Sequence, residues 1–134
     1  LLVRAHVVLP NVAELAALAG VDPPDDEASR AALAEELVAQ GAELVLAKGG
    51  HADGPEVVDL LATPAGVERL TSPRAPGRFR GTGGALAAAC AAELAHGKSP
   101  LEAVRSAHAR VAAAIRRAAA VPTPFLHLDE PRAR

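Results

Sequence analysis

Residues 80–84, RGTGG, place three glycines and a threonine directly before an alanine-rich run with the composition of a helix. Glycine is unfavourable where a helix begins, so its repeated use there indicates that the backbone itself is needed. A glycine-rich turn leading into a helix presents unpaired N–H groups and the positive end of the helix dipole. Without Cβ atoms, Gly81, Gly83 and Gly84 let an anion approach these groups closely. Together with Thr82, they form a predicted anion hole for phosphate.

The stretch is positively charged, but it matches neither of two common phosphate-binding motifs. Arg74, Arg78 and Arg80 add positive charge just before the glycines. The stretch lacks the Gly-Lys-Ser/Thr ending of a P-loop, and no strand comes directly before it as in a dinucleotide fingerprint. Taken alone, GTGG is equally compatible with a flexible loop in front of an alanine-rich helix.

The composition describes a protein of one domain. The 134 residues are half apolar but include only two Phe and no Trp, Tyr or Met, so the core is expected to consist of Ala, Val and Leu. A net charge of −2 argues against non-specific nucleic-acid binding. The single Cys fits a reducing cytosol, and the chain shows neither a membrane-length apolar run nor a signal peptide. We therefore expect a cytoplasmic protein, and the initial Leu suggests a fragmentary product.

The first half of the chain alternates strands and helices. Residues 5–11 predict a buried strand, and Asn11 caps a helix that stops at Gly20. Asp25 or Asp26 caps a second helix over residues 27–40. The run 42–50 predicts a strand buried on both faces, because residues 44–47 lack polar alternation. The apolar face expected for the second helix consists of Ala32, Leu33, Leu37 and Val38.

The second half contains a hairpin and two helices. Residues 55–72 predict two strands around a Pro-Ala-Gly turn, and residues 74–84 a loop. A helix is expected over residues 85–97. Another opens with the capping box Ser99-Pro100-Leu101-Glu102 and runs to about Ala119, while residues 122–134 form an irregular tail. This order predicts an α/β sandwich with parallel strands. Because the sheet is thin and its strands very apolar, we expect it to be part of a larger sheet.

Four stretches resemble one family in order and approximate spacing: LPNVAEL at 9–15, VLAKGGH at 45–51, VVDLL at 57–61, and the run 80–107 that contains RGTGG. The chain is similar, from Leu1 to about Ala119, to the C-terminal half of the hydroxymethylpyrimidine/phosphomethylpyrimidine kinases of thiamine biosynthesis. These enzymes belong to the ribokinase-like superfamily. The resemblance implies a three-layer sandwich, with a mostly parallel sheet, helices on both faces and a β-hairpin. Residues 1–121 would then be the nucleotide-binding half of the kinase domain.

The resemblance also implies an activity. Members of the family use ATP and Mg²⁺ to phosphorylate the hydroxymethyl group of an aminopyrimidine, and then convert the monophosphate to the diphosphate. The expected partners are thus ATP and a small pyrimidine, with no nucleic acid or membrane, and the family implies a homodimer. The substrate-binding half is absent from this sequence, so a ribokinase-like kinase of pyridoxal or a sugar remains an alternative.

The resemblance assigns roles to matching residues. Asn11 and Glu14 match an Asn-x-x-Glu element near the metal and phosphates, with Glu14 as the expected Mg²⁺ ligand. Lys48, Gly49 and Gly50 match a Lys-Gly-Gly-His element beside the nucleotide, where a strand-terminal Lys faces the ligand crevice of α/β folds. The alternatives are local: Asn11 would only cap a helix, and Glu14 and Lys48 would only be solvated. His51 completes the motif without a clear role.

Gly84 departs from the family pattern. The residue after Gly-Thr-Gly is usually Cys in these pyrimidine kinases and Asp in the wider superfamily, placed to accept the proton of the substrate hydroxyl. Gly84 has no side chain for this role. Cys90 lies six residues further on, roughly 9 Å along a helix, and cannot reach the same point. We expect Cys90 to be a small core residue and the protein to be either a slow kinase or a non-catalytic, nucleotide-binding remnant of one.

Other ionisable residues carry no predicted chemistry. The histidines outside the motif share no metal-ligand spacing and are expected to be structural or surface residues; they are His6, His96, His108 and His127. Asp59 lies in the predicted hairpin and is expected to face solvent.

Overall fold

The computed structural model describes residues 5–50, 54–77 and 79–120. His51, Arg78, His127 and the predicted tail 122–134 lie outside the described residues. The chain divides into two compact units, residues 1–74 and residues 75–134. The two units are described separately below.

The first unit is built on a four-stranded sheet in the order β1-β2-β3-β4. The strands are β1 Val7–Val8, β2 Leu44–Ala47, β3 Glu56–Thr63 and β4 Gly66–Pro73. Only β1 and β2 pair in parallel among the described residues, whereas β2–β3 and β3–β4 are antiparallel. The parallel pairing expected from the sequence is thus found for β1 and β2, and the antiparallel pair β3–β4 is the expected hairpin; the antiparallel pairing of β2 with β3 is not predicted by the sequence. A short turn joins β3 to β4, and such a turn can only connect antiparallel neighbours.

Burial differs between the strands. All four residues of β2 are buried, as their continuous apolar run predicts. β1 is only two residues long and half-buried, shorter and less buried than the strand predicted over residues 5–11. Asn11 begins a helix almost at once, so the chain has little length left for pairing.

The predicted hairpin is confirmed. Thr63 pairs with Gly66, so that Pro64 and Ala65 form a two-residue turn. Gly66 has a φ of 125°, a value that favours glycine. The middle of β3 is buried continuously from Asp59 to Ala62, without the alternation of a strand that has one wet face.

Two helices accompany the sheet, α1 Val12–Ala19 and α2 Glu27–Ala39. Their predicted N-caps, Asn11 and Asp26, both accept a backbone hydrogen bond from the first helical turn. Gly20 ends α1 in the left-handed conformation, as predicted.

The buried face of α2 differs from the predicted one. Leu37 is buried as expected, but Ala32 is exposed, and Arg30 and Ala34 are buried instead. Arg30 tolerates this position because its guanidinium reaches a backbone carbonyl of β3, so the charged head has a partner inside the unit. The core of this unit is made of small aliphatic side chains, as the composition predicts: Leu15, Ala34, Leu37, Ala42, Val45, Ala47, Leu60 and Ala62.

The second unit pairs helix α3 Thr82–Ala95 with helix α4 Pro100–Ala119. The prediction that residues 74–84 form a loop is wrong at its end, because α3 begins at Thr82 and not at Ala85. Gly81 adopts a left-handed φ of 77° and accepts the first helical hydrogen bond, 2.9 Å from the Ala85 nitrogen. Gly83 and Gly84 therefore lie in the first turn of the helix.

Helix α4 has the predicted capping box. Ser99 and Glu102 exchange side-chain and backbone hydrogen bonds, and Pro100 occupies the first turn. At 20 residues it is the longest helix, yet no helix in the described part of the chain is long and apolar enough to cross a membrane. Cys90 of α3 is buried, as predicted.

A buried carboxylate connects the two helices of this unit. Glu93 of α3 is 7% exposed and binds Lys98 at 2.7 Å, Arg110 at 2.8 Å and Ser106 at 2.9 Å. Hydrogen bonds from these three side chains, Lys98 first, lower the pKa of Glu93 from 4.5 to about 2. The ionised form of Glu93 thus stabilises the packing of α3 on α4.

This pKa predicts a loss of stability in acid. Because the folded-state pKa lies below the ordinary value, the contribution is present above about pH 4.5 and is lost as the pH falls towards 2. In urea unfolding, wild type should exceed Glu93→Gln in stability at pH 7, and the difference should shrink steadily below pH 4.5. A difference that stays constant down to pH 2.5 would contradict this role of Glu93.

Candidate nucleotide-binding site

The carboxyl ends of β1 and β2 lie side by side, because the two strands are parallel. The Lys48 backbone nitrogen donates to the Pro10 oxygen at 2.9 Å, which continues the pairing just beyond both strands. The Lys48 ammonium lies 4.0 Å from Glu14 Oε2. Two motifs more than thirty residues apart in sequence are thus brought together, at the edge where α/β folds bind ligands.

Asn11 and Glu14 form a capping box at the start of α1. The Asn11 nitrogen donates to Glu14 Oε2 at 2.7 Å, and the Glu14 nitrogen donates to Asn11 Oδ1 at 2.8 Å. This bonding accounts for both residue types without a ligand. The Glu14 side chain is nevertheless 57% exposed, and a carboxylate has about four lone-pair sites, so it can accept further bonds.

The two glycines after Lys48 serve different purposes. Gly49 is buried, and a Cβ added to it would lie within 3.0 Å of the Val58 oxygen and of the Arg30 guanidinium. Gly50 is exposed, and a Cβ there would meet nothing within 4 Å. Gly49 is thus required by packing inside the protein, while Gly50 leaves open space at the surface.

Three side chains hold the backbone around these glycines; the sequence pattern indicates no site role for Asp59 and Arg30, and it places the charge of Arg74 beside residues 81–84 instead. Asp59 is only 8% exposed and accepts a hydrogen bond from the Gly49 nitrogen, so the prediction that it faces solvent is wrong. Arg30, 6% exposed, donates to the Val58 oxygen. Arg74 donates to the Gly50, Gly54 and Glu56 oxygens. One signal was available: the carboxylate of Asp59 stands inside the apolar run VVDLL.

The predicted anion hole lies in the second unit. Within residues 5–50, 54–77 and 79–120, no side chain caps the N-terminus of α3, and the first turn of this helix contains no acidic residue. The first N–H groups of a helix have no partner within the helix, so the anion hole at residues 81–84 is compatible with this arrangement and stays a prediction. Gly84 is exposed, has no positive φ and has open space where a Cβ would lie, so a side chain could be accommodated there.

Metal binding would depend on few protein ligands. The part of the chain that the structure describes contains no group of three or more His, Cys, Asp or Glu residues able to hold a metal ion. Two of its histidines bond to other groups: His6 binds Glu43, and His96 binds the Ala92 oxygen one helical turn away. Mg²⁺ in kinases is commonly held by one or two carboxylates and the phosphates of the nucleotide, and an exposed Glu14 fits that pattern.

Solved structures define the class of this protein. The pyridoxal kinase of Staphylococcus aureus in complex with AMP-PCP superposes with a TM-score of 0.81 at 37% identity, covering 87% of this chain and 43% of that one. The chain therefore has a ribokinase-like α/β fold, as predicted. A family model described as phosphomethylpyrimidine kinase matches residues 1–127. The chain belongs to the phosphomethylpyrimidine kinase family, which confirms the resemblance seen in the sequence.

Curated relatives carry the same family name. The hydroxymethylpyrimidine/phosphomethylpyrimidine kinase of Rhizobium meliloti is 45% identical over 116 residues, 86% of this chain and 44% of the relative. That of Streptomyces coelicolor is 42% identical over 116 residues, 86% of this chain and 42% of the relative. The chain thus spans less than half the length of the curated relatives it matches.

Proposed function

We propose that residues 1–121 supply the nucleotide-binding half of an ATP-dependent kinase that phosphorylates hydroxymethylpyrimidine and its monophosphate in thiamine biosynthesis, with residues 122–134 as a tail. Membership of the phosphomethylpyrimidine kinase family supports the reaction class. The observation that carries the proposal for this chain is the position of Lys48, at the carboxyl end of β2 and 4.0 Å from Glu14. A cation and a carboxylate at this edge suit a nucleotide phosphate and its metal ion.

Each predicted residue has a role in this proposal. The Lys48 ammonium binds nucleotide phosphate as a point charge, beside Asn11 and the backbone of Gly49 and Gly50. Glu14 holds Mg²⁺ or its water shell, and the metal supplies charge neutralisation on the phosphates when bound. The N–H groups of residues 81–84 at the start of α3 stabilise negative charge on phosphate oxygens.

The reaction requires a proton acceptor. The hydroxyl oxygen of the pyrimidine bonds to the γ-phosphorus, the bond from that phosphorus to the bridging oxygen breaks, and ADP leaves. The hydroxyl proton has to move to a base, and Gly84 offers none. A general base typically increases the rate about 10²–10⁴-fold, whereas positioning and charge stabilisation provide most of the rate acceleration of phosphoryl transfer. Gly84 therefore favours a slow kinase, or, as the second candidate function, a nucleotide-binding protein without catalysis.

Lys48→Ala should weaken MgATP binding by the complete protein about 10- to 100-fold in calorimetry, because a bond to a charged group contributes about 1.5–3 kcal/mol. The chain has one other lysine, Lys98, which binds Glu93. Lys98→Ala is the matched control and should leave the Kd unchanged. Equal affinity of wild type and Lys48→Ala would remove Lys48 from the site. Turnover assays with hydroxymethylpyrimidine and with pyridoxal as acceptors test the substrate.

A further inference from the structure

The carboxylate of Asp59 holds the backbone of the predicted nucleotide loop. Asp59 Oδ1 accepts a 2.7 Å hydrogen bond from the Gly49 nitrogen, and both residues are buried. Hydrogen bonds to a charged acceptor are shorter and stronger than neutral ones, and a buried N–H left without its acceptor is costly. The Gly49 peptide is therefore fixed directly after Lys48.

Arg30 closes the other side of Gly49. Its Nη2 donates to the Val58 oxygen at 2.8 Å, and the guanidinium fills the space that a Cβ of Gly49 would need. The Arg30 Nε is buried without a hydrogen-bond partner in the described part of the chain. A helix residue thus keeps an imperfectly satisfied charge inside the protein while packing against the loop. A buried charged group with an unsatisfied donor costs stability, so stability alone does not explain why an arginine occupies this position.

Arg74 fixes the next residue. Its Nη1 donates to the Gly50 oxygen at 3.0 Å, and its Nε donates to the Gly54 oxygen at 2.8 Å. Three contacts therefore hold the segment Lys48-Gly49-Gly50: a hydrogen bond at the Gly49 nitrogen, the packing of Arg30 against Gly49, and a hydrogen bond at the Gly50 oxygen. Two adjacent glycines would otherwise be among the most mobile backbone positions in a chain.

We propose that Asp59, Arg30 and Arg74 form a loop anchor that positions Lys48 and the Gly49–Gly50 backbone for nucleotide. The anchor residues are positioning residues and touch no phosphate themselves. A loop ordered before binding does not lose its conformational freedom on binding, so affinity is gained without a new contact. The inference rests on the proposed nucleotide site.

The test compares MgATP binding and turnover by Asp59→Ala and Asp59→Asn in the complete protein. Asp59→Ala removes the acceptor of the Gly49 N–H, so the Kd for MgATP should rise about 10-fold or more. Asp59→Asn keeps an acceptor oxygen and should stay within about 3-fold of wild type. The KM for the pyrimidine should change little in both. Glu93→Ala, which breaks a buried carboxylate cluster in the other unit, is the control for lost stability and should bind MgATP normally.

Hydrogen exchange at the Gly49 amide gives a readout that needs no nucleotide, and it should be faster in Asp59→Ala. Should Asp59→Ala fail to fold, Arg74→Ala provides the same comparison at Gly50, with an expected loss of about 3- to 10-fold in MgATP affinity. If wild type binds MgATP and the folded anchor variants bind it with the same affinity, the loop anchor is overturned but the proposed function is not. Wild type that binds no MgATP would overturn the proposed function and, with it, the positioning role.

Discussion

Replacing Gly49 by alanine is expected to destabilise the protein by about 3 kcal/mol or more, a large part of the stability of a typical domain. The added methyl group would overlap the Val58 carbonyl oxygen and the Arg30 guanidinium. Neither neighbour can move freely, since Val58 is paired in the sheet and Arg30 is buried. Relief would require a shift of the strand or of the loop, with loss of the bond between Gly49 and Asp59.

The neighbouring glycine provides the matched control. Gly50 is exposed, has no positive φ and would accommodate a Cβ without contact. Gly50→Ala should therefore change the free energy of unfolding by less than about 1 kcal/mol in urea denaturation. If Gly49→Ala unfolds at the same urea concentration as Gly50→Ala, the close packing around Gly49 is not as described.

Gly84→Cys is expected to raise kcat for hydroxymethylpyrimidine phosphorylation about 10-fold or more in the complete protein. The positive end of a helix dipole lowers the pKa of a thiol, so a cysteine in the first turn of α3 would be partly ionised near neutral pH. The side chain can be accommodated, because space is open at the Cβ position. The KM for ATP should change little, since the backbone N–H groups remain.

Gly84→Ala separates the thiol from the helix. Alanine also removes the glycine but brings no proton acceptor, so its kcat should stay near that of wild type. Equal rates in all three proteins would show that the residue at position 84 does not serve as the base. Absence of turnover in all three, with MgATP still bound, would favour the non-catalytic candidate.

The local features of the fold could be predicted because their causes are local. Caps such as Asn11 and Ser99, and the turn after Thr63, follow from neighbouring residues in the chain. The antiparallel pairing of β2 with β3 could not be predicted from the sequence, because the direction in which two strands pair depends on contacts between distant segments. The start of α3 was misplaced by three residues because glycine is a poor helix former, while here it occupies the first turn.

The candidate site was predictable only where it resembled a motif. Lys48 and Glu14 carry motif positions, and the parallel pairing of β1 with β2 brings them together. Arg30 and Asp59 belong to a helix and a strand whose patterns suggested exposure. Their burial depends on each finding a backbone partner across the fold, which no residue spacing reveals.

The reactivity of the Cys90 thiol can be used to measure how often helix α3 opens. Cys90 is the one cysteine among these 134 residues, it is 2% exposed, and burial raises the pKa of its thiol, so the folded chain offers almost no thiolate to an alkylating reagent. Alkylation of wild type therefore reports the opening of α3 from its packing rather than surface reactivity. A cysteine placed at an exposed position can meanwhile carry a fluorophore without competition from Cys90, so binding and unfolding can be followed with one label chemistry.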